Sequence, residues 1–147
     1  MRQTKEITID DRGKSLTFRI TEMSATKLED WTMRAVLVLA AAGSDVPASG
    51  GVEGIGKYLA EHGLAALGAV DYAKAKPLLD EMLGCCARVL DRTEEKVTPE
   101  TADAYIEDIR TLFKLRMEAI RVNFGFFGTG GPSASPENPN TVRLNAR

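Results

Sequence analysis

Residues 105–127 have the sequence YIEDIRTLFKLRMEAIRVNFGFF, in which apolar side chains recur at helical spacing. At about 100° per residue, these side chains form two neighbouring stripes. One stripe contains Ile106, Ile109, Phe113, Met117, Ile120, Phe124 and Phe127, and the other contains Leu112, Leu115, Ala119, Val122 and Phe126. An ordinary surface helix has one apolar stripe. The second stripe predicts a partner, which can be the rest of the chain, a second copy or another protein.

The narrow remaining face of this predicted helix is charged. It is formed by Glu107, Arg110, Lys114, Glu118 and Arg121. Acidic and basic side chains are both present on it, as they are on a solvated helix surface. We therefore expect this strip to face water.

Composition indicates a single domain with a buried core. The chain has 147 residues, of which 44% are hydrophobic, and this length is typical of one domain. Its net charge is -2 and its pI is near 5.5, so no global basic field favours nucleic acid. The N-terminus lacks the apolar run of a signal peptide. The apolar run at 35–42 is far shorter than the ~20 residues of a membrane span, and we expect a soluble cytoplasmic protein without a membrane partner.

The N-terminal segment predicts a β-hairpin. Ile7 and Ile9 alternate with polar residues, the turn sequence Asp10-Asp11-Arg12-Gly13 follows, and alternation resumes at Leu16, Phe18 and Ile20. Such alternation around a glycine turn is the hairpin pattern. An isolated hairpin is marginal in water, so we expect it to lie on the helices that follow.

Helical patterns dominate the remainder. The first predicted helix begins near Ser24 or Thr26, where Thr26–Glu29 offers a capping box, and it ends at Gly43. Its second half is apolar all round, as in a central buried helix. Shorter helices are predicted at 52–62 and 64–70. A further helix follows Asp71 as N-cap and ends near Gly84, with Pro77 marking a kink or the true start.

Residues 85–99 are compatible with a second small hairpin or with a helix continuation and loop. Thr98 and Pro99 then suit the start of the long helix, and we expect that helix to continue to about residue 125 or 127. Residues 128–147 contain almost no apolar side chains, so we expect a disordered tail. The predicted fold is mainly α: a small helical bundle over residues 1–127 with the N-terminal hairpin packed on it.

No catalytic, cofactor or metal site is predicted. Residues 51–57 match G-x-x-x-x-G-K, but Tyr58 replaces the magnesium-binding Ser or Thr and Glu53 would repel phosphate. The adjacent Cys85 and Cys86 suit free, packed thiols. His62, the single histidine, precedes a glycine at a predicted helix end. These patterns favour a binding or assembly protein over an enzyme.

The order of these segments resembles the tail assembly chaperones of long-tailed bacteriophages and prophages. The resemblance lies in Lys5-Glu6-Ile7-Thr8-Ile9, Trp31-Thr32-Met33-Arg34-Ala35, Ala75-Lys76-Pro77-Leu78-Leu79-Asp80-Glu81-Met82, Thr111-Leu112-Phe113-Lys114-Leu115-Arg116 and Phe124-Gly125-Phe126-Phe127. It implies a protein of the host cytoplasm that binds the tape-measure protein before the tail tube polymerises and keeps it soluble. It also implies absence from the finished particle and, in many cases, a frameshifted longer form.

The predicted protein-binding residues lie on the long helix. They are Phe113, Ile120, Phe124, Phe126 and Phe127. Aromatic side chains at helical spacing can cover the apolar stretches of a long helical client. In one alternative, the two stripes pack on the first helix and on the hairpin and leave no exposed patch. In another, the chain self-associates through this helix, as a structural tail or head completion component of the virion would.

Overall fold

The computed structural model describes residues 1–43, 51–62, 65, 68 and 70–125. The sheet strands are β1 (Thr4–Asp11), β2 (Lys14–Thr21), β3 (Cys86–Val89) and β4 (Glu94–Lys96). The helices are α1 (Ala25–Ala41), α2 (Gly51–His62), α3 (Tyr72–Leu83), α4 (Pro99–Ala102) and α5 (Ile109–Phe124). The predicted helix at 64–70 falls largely outside the described residues, and the predicted tail at 128–147 lies entirely outside them.

The fold is α+β, so the prediction of a mainly α bundle with a minor hairpin is wrong. Four antiparallel strands form one sheet in the order β1-β2-β3-β4. The hairpin alternative for residues 85–99 is confirmed by β3 and β4. What the sequence pattern did not predict is that β3 pairs with β2, where Phe18 faces Arg88 and Ile20 faces Cys86. Among the described residues, α1, α2 and α3 lie between these strands in the chain, and local patterning carries no signal for such a distant pairing.

The N-terminal hairpin is confirmed, and its turn sets its register. Arg12 (φ 50°) and Gly13 (φ 88°) both have positive φ, the geometry that suits a two-residue hairpin turn. The Asp10 carboxylate accepts a 2.7 Å hydrogen bond from the Gly13 N–H. Because side chains alternate between the two faces of a strand, this register turns Phe18 and Ile20 into the core, where both are fully buried.

The core lies between the sheet and the helices. α5 contacts β1 and β2 as well as α2 and α3. Trp31 of α1 lies 5.5 Å, centroid to centroid, from Phe124 of α5, and its indole N–H donates to the Leu78 carbonyl at 3.0 Å. α1 is not buried all round as predicted, because Met33 and Leu37 are exposed. The helix thus covers the core with one face only.

The helix starts agree with the sequence in part. Of the two predicted starts of the first helix, Ser24 is confirmed as the N-cap of α1. Its side chain makes no cap bond, and the predicted Thr26–Glu29 capping box is wrong. α3 runs through Pro77 and ends before Gly84. The predicted start after Thr98 is confirmed: the Thr98 hydroxyl accepts the Thr101 N–H at 3.1 Å, and the Thr101 hydroxyl accepts the Thr98 N–H at 2.8 Å.

The predicted single long helix is wrong. The helix that starts at Pro99 ends at Ala102, and α5 begins at Ile109 after a turn and an extended segment. The segment between α4 and α5 therefore belongs to the connection rather than to the helix. Hydrogen bonds from this segment to Asp11 explain why the helix is interrupted.

Candidate protein-binding surface

A buried carboxylate interrupts the helix and fixes the start of α5. Asp11, the last residue of β1, is 0% exposed. Its Oδ2 accepts the Glu107 N–H at 2.9 Å, and its Oδ1 accepts the Asp108 N–H at 3.0 Å and the Thr111 hydroxyl at 2.7 Å. In a continuous helix these two N–H groups would bond to carbonyls four residues earlier. Asp11 takes them instead, so the chain turns and α5 starts against the hairpin.

Asp11 is a buried charge that its partners stabilise. Burial disfavours the charged form and acts to raise its pKa, but the bonds from Glu107, Thr111 and Asp108 outweigh burial, and the pKa lies below its ordinary value. Asp11 is therefore ionised at neutral pH. A charged acceptor makes stronger bonds than a neutral one, which holds the connection in place.

Asp108 caps the helix that follows. Its carboxylate accepts the Arg110 N–H at 2.9 Å and binds the Arg110 guanidinium, with Nη2 at 2.6 Å from Oδ2. The Arg110 side chain is the main reason that the pKa of Asp108 falls to about 2. A negative N-cap also suits the positive end of the helix. Together Asp11 and Asp108 make Ile109 the first residue of α5.

The structure separates the predicted binding residues into exposed and buried ones. The Phe113 side chain is 51% exposed, whereas Ile120 and Phe124 are each 1% exposed and belong to the core. Phe126 and Phe127 lie outside the described residues. A partner can reach Phe113 directly, but it cannot reach Ile120 or Phe124 in the folded chain.

Ile109 joins Phe113 as an exposed apolar pair. Ile109 is 66% exposed, and residues four positions apart are neighbours on a helix surface. We call Ile109 and Phe113 the α5 apolar patch. It is the N-terminal continuation of the stripe whose C-terminal half, Ile120 and Phe124, is buried. The sequence placed Ile109 in this stripe, but periodicity alone could not show which half is covered.

α1 carries a second exposed pair with a different charge environment. Met33 is 56% exposed and Leu37 is 64% exposed, again four residues apart. Arg34 beside them is held by Asp30 and by both carboxylate oxygens of Glu81, at 2.7 and 2.8 Å. The charge next to the α1 pair is therefore neutralised within the chain.

Two clefts flank the helices. One of about 660 Å³ lies between the start of α1, the end of α3 and β4, and its lining includes Lys27, Asp30, Glu81, Cys85 and Lys96. The other, of about 450 Å³, lies between the β1–β2 turn and the first turns of α5, and its lining includes Asp10, Arg12, Asp108, Arg110 and Lys114. The second cleft brings three cations to the end of α5 that carries the apolar patch.

The cysteines are packing residues. Both thiols are free, and Cys86 is buried. Burial raises the pKa of Cys85, and it raises that of Cys86 to about 12. Because the thiolate is the nucleophile, neither thiol is poised for covalent chemistry at neutral pH.

The remaining motifs have structural explanations. Residues 51–57 form the first turns of α2, so the G-x-x-x-x-G-K match is helical and does not form a phosphate-binding loop. His62, the last residue of α2, stacks on Tyr58 with ring centroids 4.3 Å apart. In the ranges that the structure describes, no group of three or more His, Cys, Asp or Glu side chains could hold a metal ion.

The helices of the described ranges are too short or too polar to span a bilayer.

Comparison with known proteins identifies the family. No curated protein and no solved structure matches the chain significantly. A family model described as "Phage tail assembly chaperone protein, TAC" matches residues 14–133, which extend from β2 through α5. This match confirms the resemblance seen in the sequence. Because it covers well over half of the 147 residues, the chain belongs to the phage tail assembly chaperone family.

Proposed function

We propose that this chain binds the tape-measure protein in the host cytoplasm before the tail tube polymerises, and keeps it soluble. Family membership supports a role in tail assembly. The observation that carries the proposal is the α5 apolar patch, because Ile109 and Phe113 are more than half exposed on an otherwise well-packed helix. Exposed apolar pairs of this kind suit helix-in-groove or bundle contacts. The proposed role requires no catalytic step, metal or cofactor.

The buried part of the stripe has a supporting role in this proposal. Ile120 and Phe124 anchor α5 to the core, with Phe124 against Trp31, and the exposed half is thereby held rigid. Burying a whole Phe or Ile side chain contributes roughly 1.5–3 kcal/mol. Since half or more of each patch residue is exposed, a client helix gains on the order of 2 kcal/mol from the pair. Further contacts must supply the remaining free energy of binding to the client. Phe126 and Phe127 remain predicted contacts.

Co-expression with the tape-measure protein of the same genome tests the proposal. The wild-type chain should keep that protein soluble and co-purify with it. The double variant Ile109→Ser/Phe113→Ser should lower the yield of soluble tape-measure protein. The thermal midpoint of the variant itself should stay close to that of the wild-type chain. Met33→Ser/Leu37→Ser is the matched control, because it removes an equally spaced exposed pair from α1 and should leave the yield unchanged.

Two results would contradict the proposal. One is a wild-type chain that leaves the tape-measure protein insoluble. The other is detection of this chain in mature particles at ring stoichiometry, which would support the structural-component alternative. Self-association through the same patch, with a second copy or a frameshifted longer form, would appear as a concentration-dependent oligomer that the α5 double variant abolishes.

A further inference from the structure

The exposed face of α5 carries an apolar row beside a cationic row. At about 100° per residue, each row occupies one narrow sector of the helix, and the two sectors are adjacent. The apolar row consists of Ile109, Phe113 and the half-buried Met117, and the cationic row consists of Arg110, Lys114 and Arg121. This is the part of α5 that the rest of the described chain leaves open.

Lysines of the sheet bind Glu107, in the connection before α5, and Glu118 of α5. Lys14 of β2 donates to Glu107 at 2.9 Å, and Lys5 of β1 donates to Glu118 at 2.8 Å. Glu118 is 6% exposed and also accepts from Arg121 at 2.7 Å. Because Glu118 is buried, the exposed side of the charged strip carries Arg110, Lys114 and Arg121. Arg110 is ion-paired with Asp108 and Arg121 with Glu118, so Lys114 is the member of this row without an ion pair among the described residues.

Lys114 is a cation of this surface that no described carboxylate binds. It is exposed, and among residues 1–43, 51–62 and 70–125 it forms no ion pair. Arg12, on the opposite wall of the 450 Å³ cleft, likewise pairs with no described residue. Asp10 lines the same cleft and bonds to the Gly13 N–H. A partner with negative charge next to apolar side chains would complement this surface.

We propose that α5 recognises an amphipathic helix of the tape-measure protein whose apolar stripe is bordered by acidic residues; this inference rests on the proposed function. The client's apolar side chains lie on Ile109 and Phe113, and its carboxylates reach Lys114 and Arg12, the cations of the 450 Å³ cleft that no described carboxylate binds. Paired helices commonly combine an apolar seam with flanking opposite charges that set partner choice. An apolar row parallel to a cationic row fits such a helix better than it fits DNA, whose phosphates offer no apolar contact.

Peptides that tile the tape-measure protein test this inference with the full chain. Each should be about 30 residues long, enough to form an amphipathic helix. Bound peptides should carry Glu or Asp beside their apolar stripe. Lys114→Glu should raise the Kd about tenfold at low salt, and the difference should shrink at high salt, as expected for a charge at an interface rim. A Glu→Lys change in the bound peptide should restore affinity for Lys114→Glu.

Lys27→Glu is the matched control. Lys27 is also exposed and forms no ion pair with a described residue, but it lies in the first turn of α1. The same change of charge there should leave the Kd unchanged.

The outcomes separate this inference from the proposed function. If peptides bind wild type and Lys114→Glu equally, or if bound peptides lack bordering acids, the inference is wrong and the proposed function stands. If no peptide binds, the inference is wrong and the co-expression result decides the proposed function. Lys114-dependent binding of duplex DNA or of anionic vesicles in place of peptides would also overturn the inference and indicate a different partner.

Discussion

At the scale of single residues, Asp11 has the largest structural consequence. It is the last residue of β1, next to the hairpin turn, and its buried carboxylate accepts three hydrogen bonds from the segment that precedes and begins α5. A buried charge is tolerated only when such bonds replace water. Asp11 therefore connects the hairpin to the helix that carries the candidate site.

We predict that Asp11→Asn destabilises the fold. An asparagine side chain has one acceptor oxygen and places an NH2 group against the Glu107 or Asp108 N–H, so at least one buried donor loses its partner. Such a loss costs about 2 kcal/mol, equivalent to a fall in the thermal midpoint on the order of 6 °C for a domain of this size. Circular dichroism during heating measures it.

Asp10→Asn is the neighbouring control for this prediction. Asp10 is exposed, and within the described part of the chain its carboxylate accepts one hydrogen bond, at Oδ1 from the Gly13 N–H. An amide oxygen can accept that bond equally well, so the midpoint should barely move. Equal midpoints for the two variants would show that the Asp11 bonds do not contribute to stability.

At the scale of elements, α5 contains one apolar stripe in two environments. In its C-terminal half, Ile120 and Phe124 are buried, and Phe124 packs against Trp31 of α1. Its N-terminal half, Ile109 and Phe113, is open. The stripe therefore combines a core function and a surface function along one helix, and single substitutions can separate them.

We predict that Phe124→Ala and Phe113→Ala differ sharply in stability. Removing the fully buried Phe124 ring should cost about 3–5 kcal/mol through lost burial and the remaining cavity. Removing the half-exposed Phe113 ring should cost less than about 1.5 kcal/mol, in proportion to the area already buried. Urea unfolding monitored by circular dichroism measures both. A Phe113→Ala loss as large as that of Phe124→Ala would mean that the patch is part of the core.

At the scale of the whole molecule, carboxylates join elements that are distant in sequence. Asp11 of β1 binds the start of α5, and Glu118 of α5 binds Lys5 of β1. Burial acts to raise the pKa of each, but hydrogen bonds and, at Glu118, the cations Lys5 and Arg121 outweigh it, so both pKa values are lowered. The sheet and α5 are thus linked at both ends of β1 by ionised groups.

We predict acid destabilisation from this arrangement. The pKa values of Asp11, Asp108 and Glu118 lie lower in the folded chain than in unfolded chains, where they are ~3.9 for Asp and ~4.3 for Glu. These groups therefore contribute fully to the free energy of unfolding at pH values above ~3.9 and ~4.3. Their contribution is lost as the pH falls through the folded values. The urea midpoint should therefore drop progressively between about pH 5 and pH 2.

Two variants make the acid experiment specific. Glu118→Gln removes one of the responsible groups, so its urea midpoint should depend less steeply on pH than that of wild type. Glu29→Gln changes an exposed carboxylate that pairs with no described residue and should leave the profile unaltered. A wild-type midpoint that stays constant down to about pH 3 would contradict the prediction.

Local features were predictable from the sequence. The alternation through Ile9, Leu16 and Phe18 predicted the first hairpin, and Thr98-Pro99 predicted a helix start, because strand alternation and helix caps depend on neighbouring residues. The segment order also indicated the family. Ile109 and Phe113 were recognisable as part of an apolar stripe.

Only the tertiary structure decided how these elements combine. The pairing of β2 with β3 and the removal of the Glu107 and Asp108 N–H groups by Asp11 depend on contacts far apart in the chain, which local periodicity does not encode. The same is true of the stripe on α5. Its repeat determined which side chains share a face. The elements packed around α5, including Trp31 of α1, determined that Phe124 is buried and Phe113 remains exposed, because burial depends on what packs opposite a side chain.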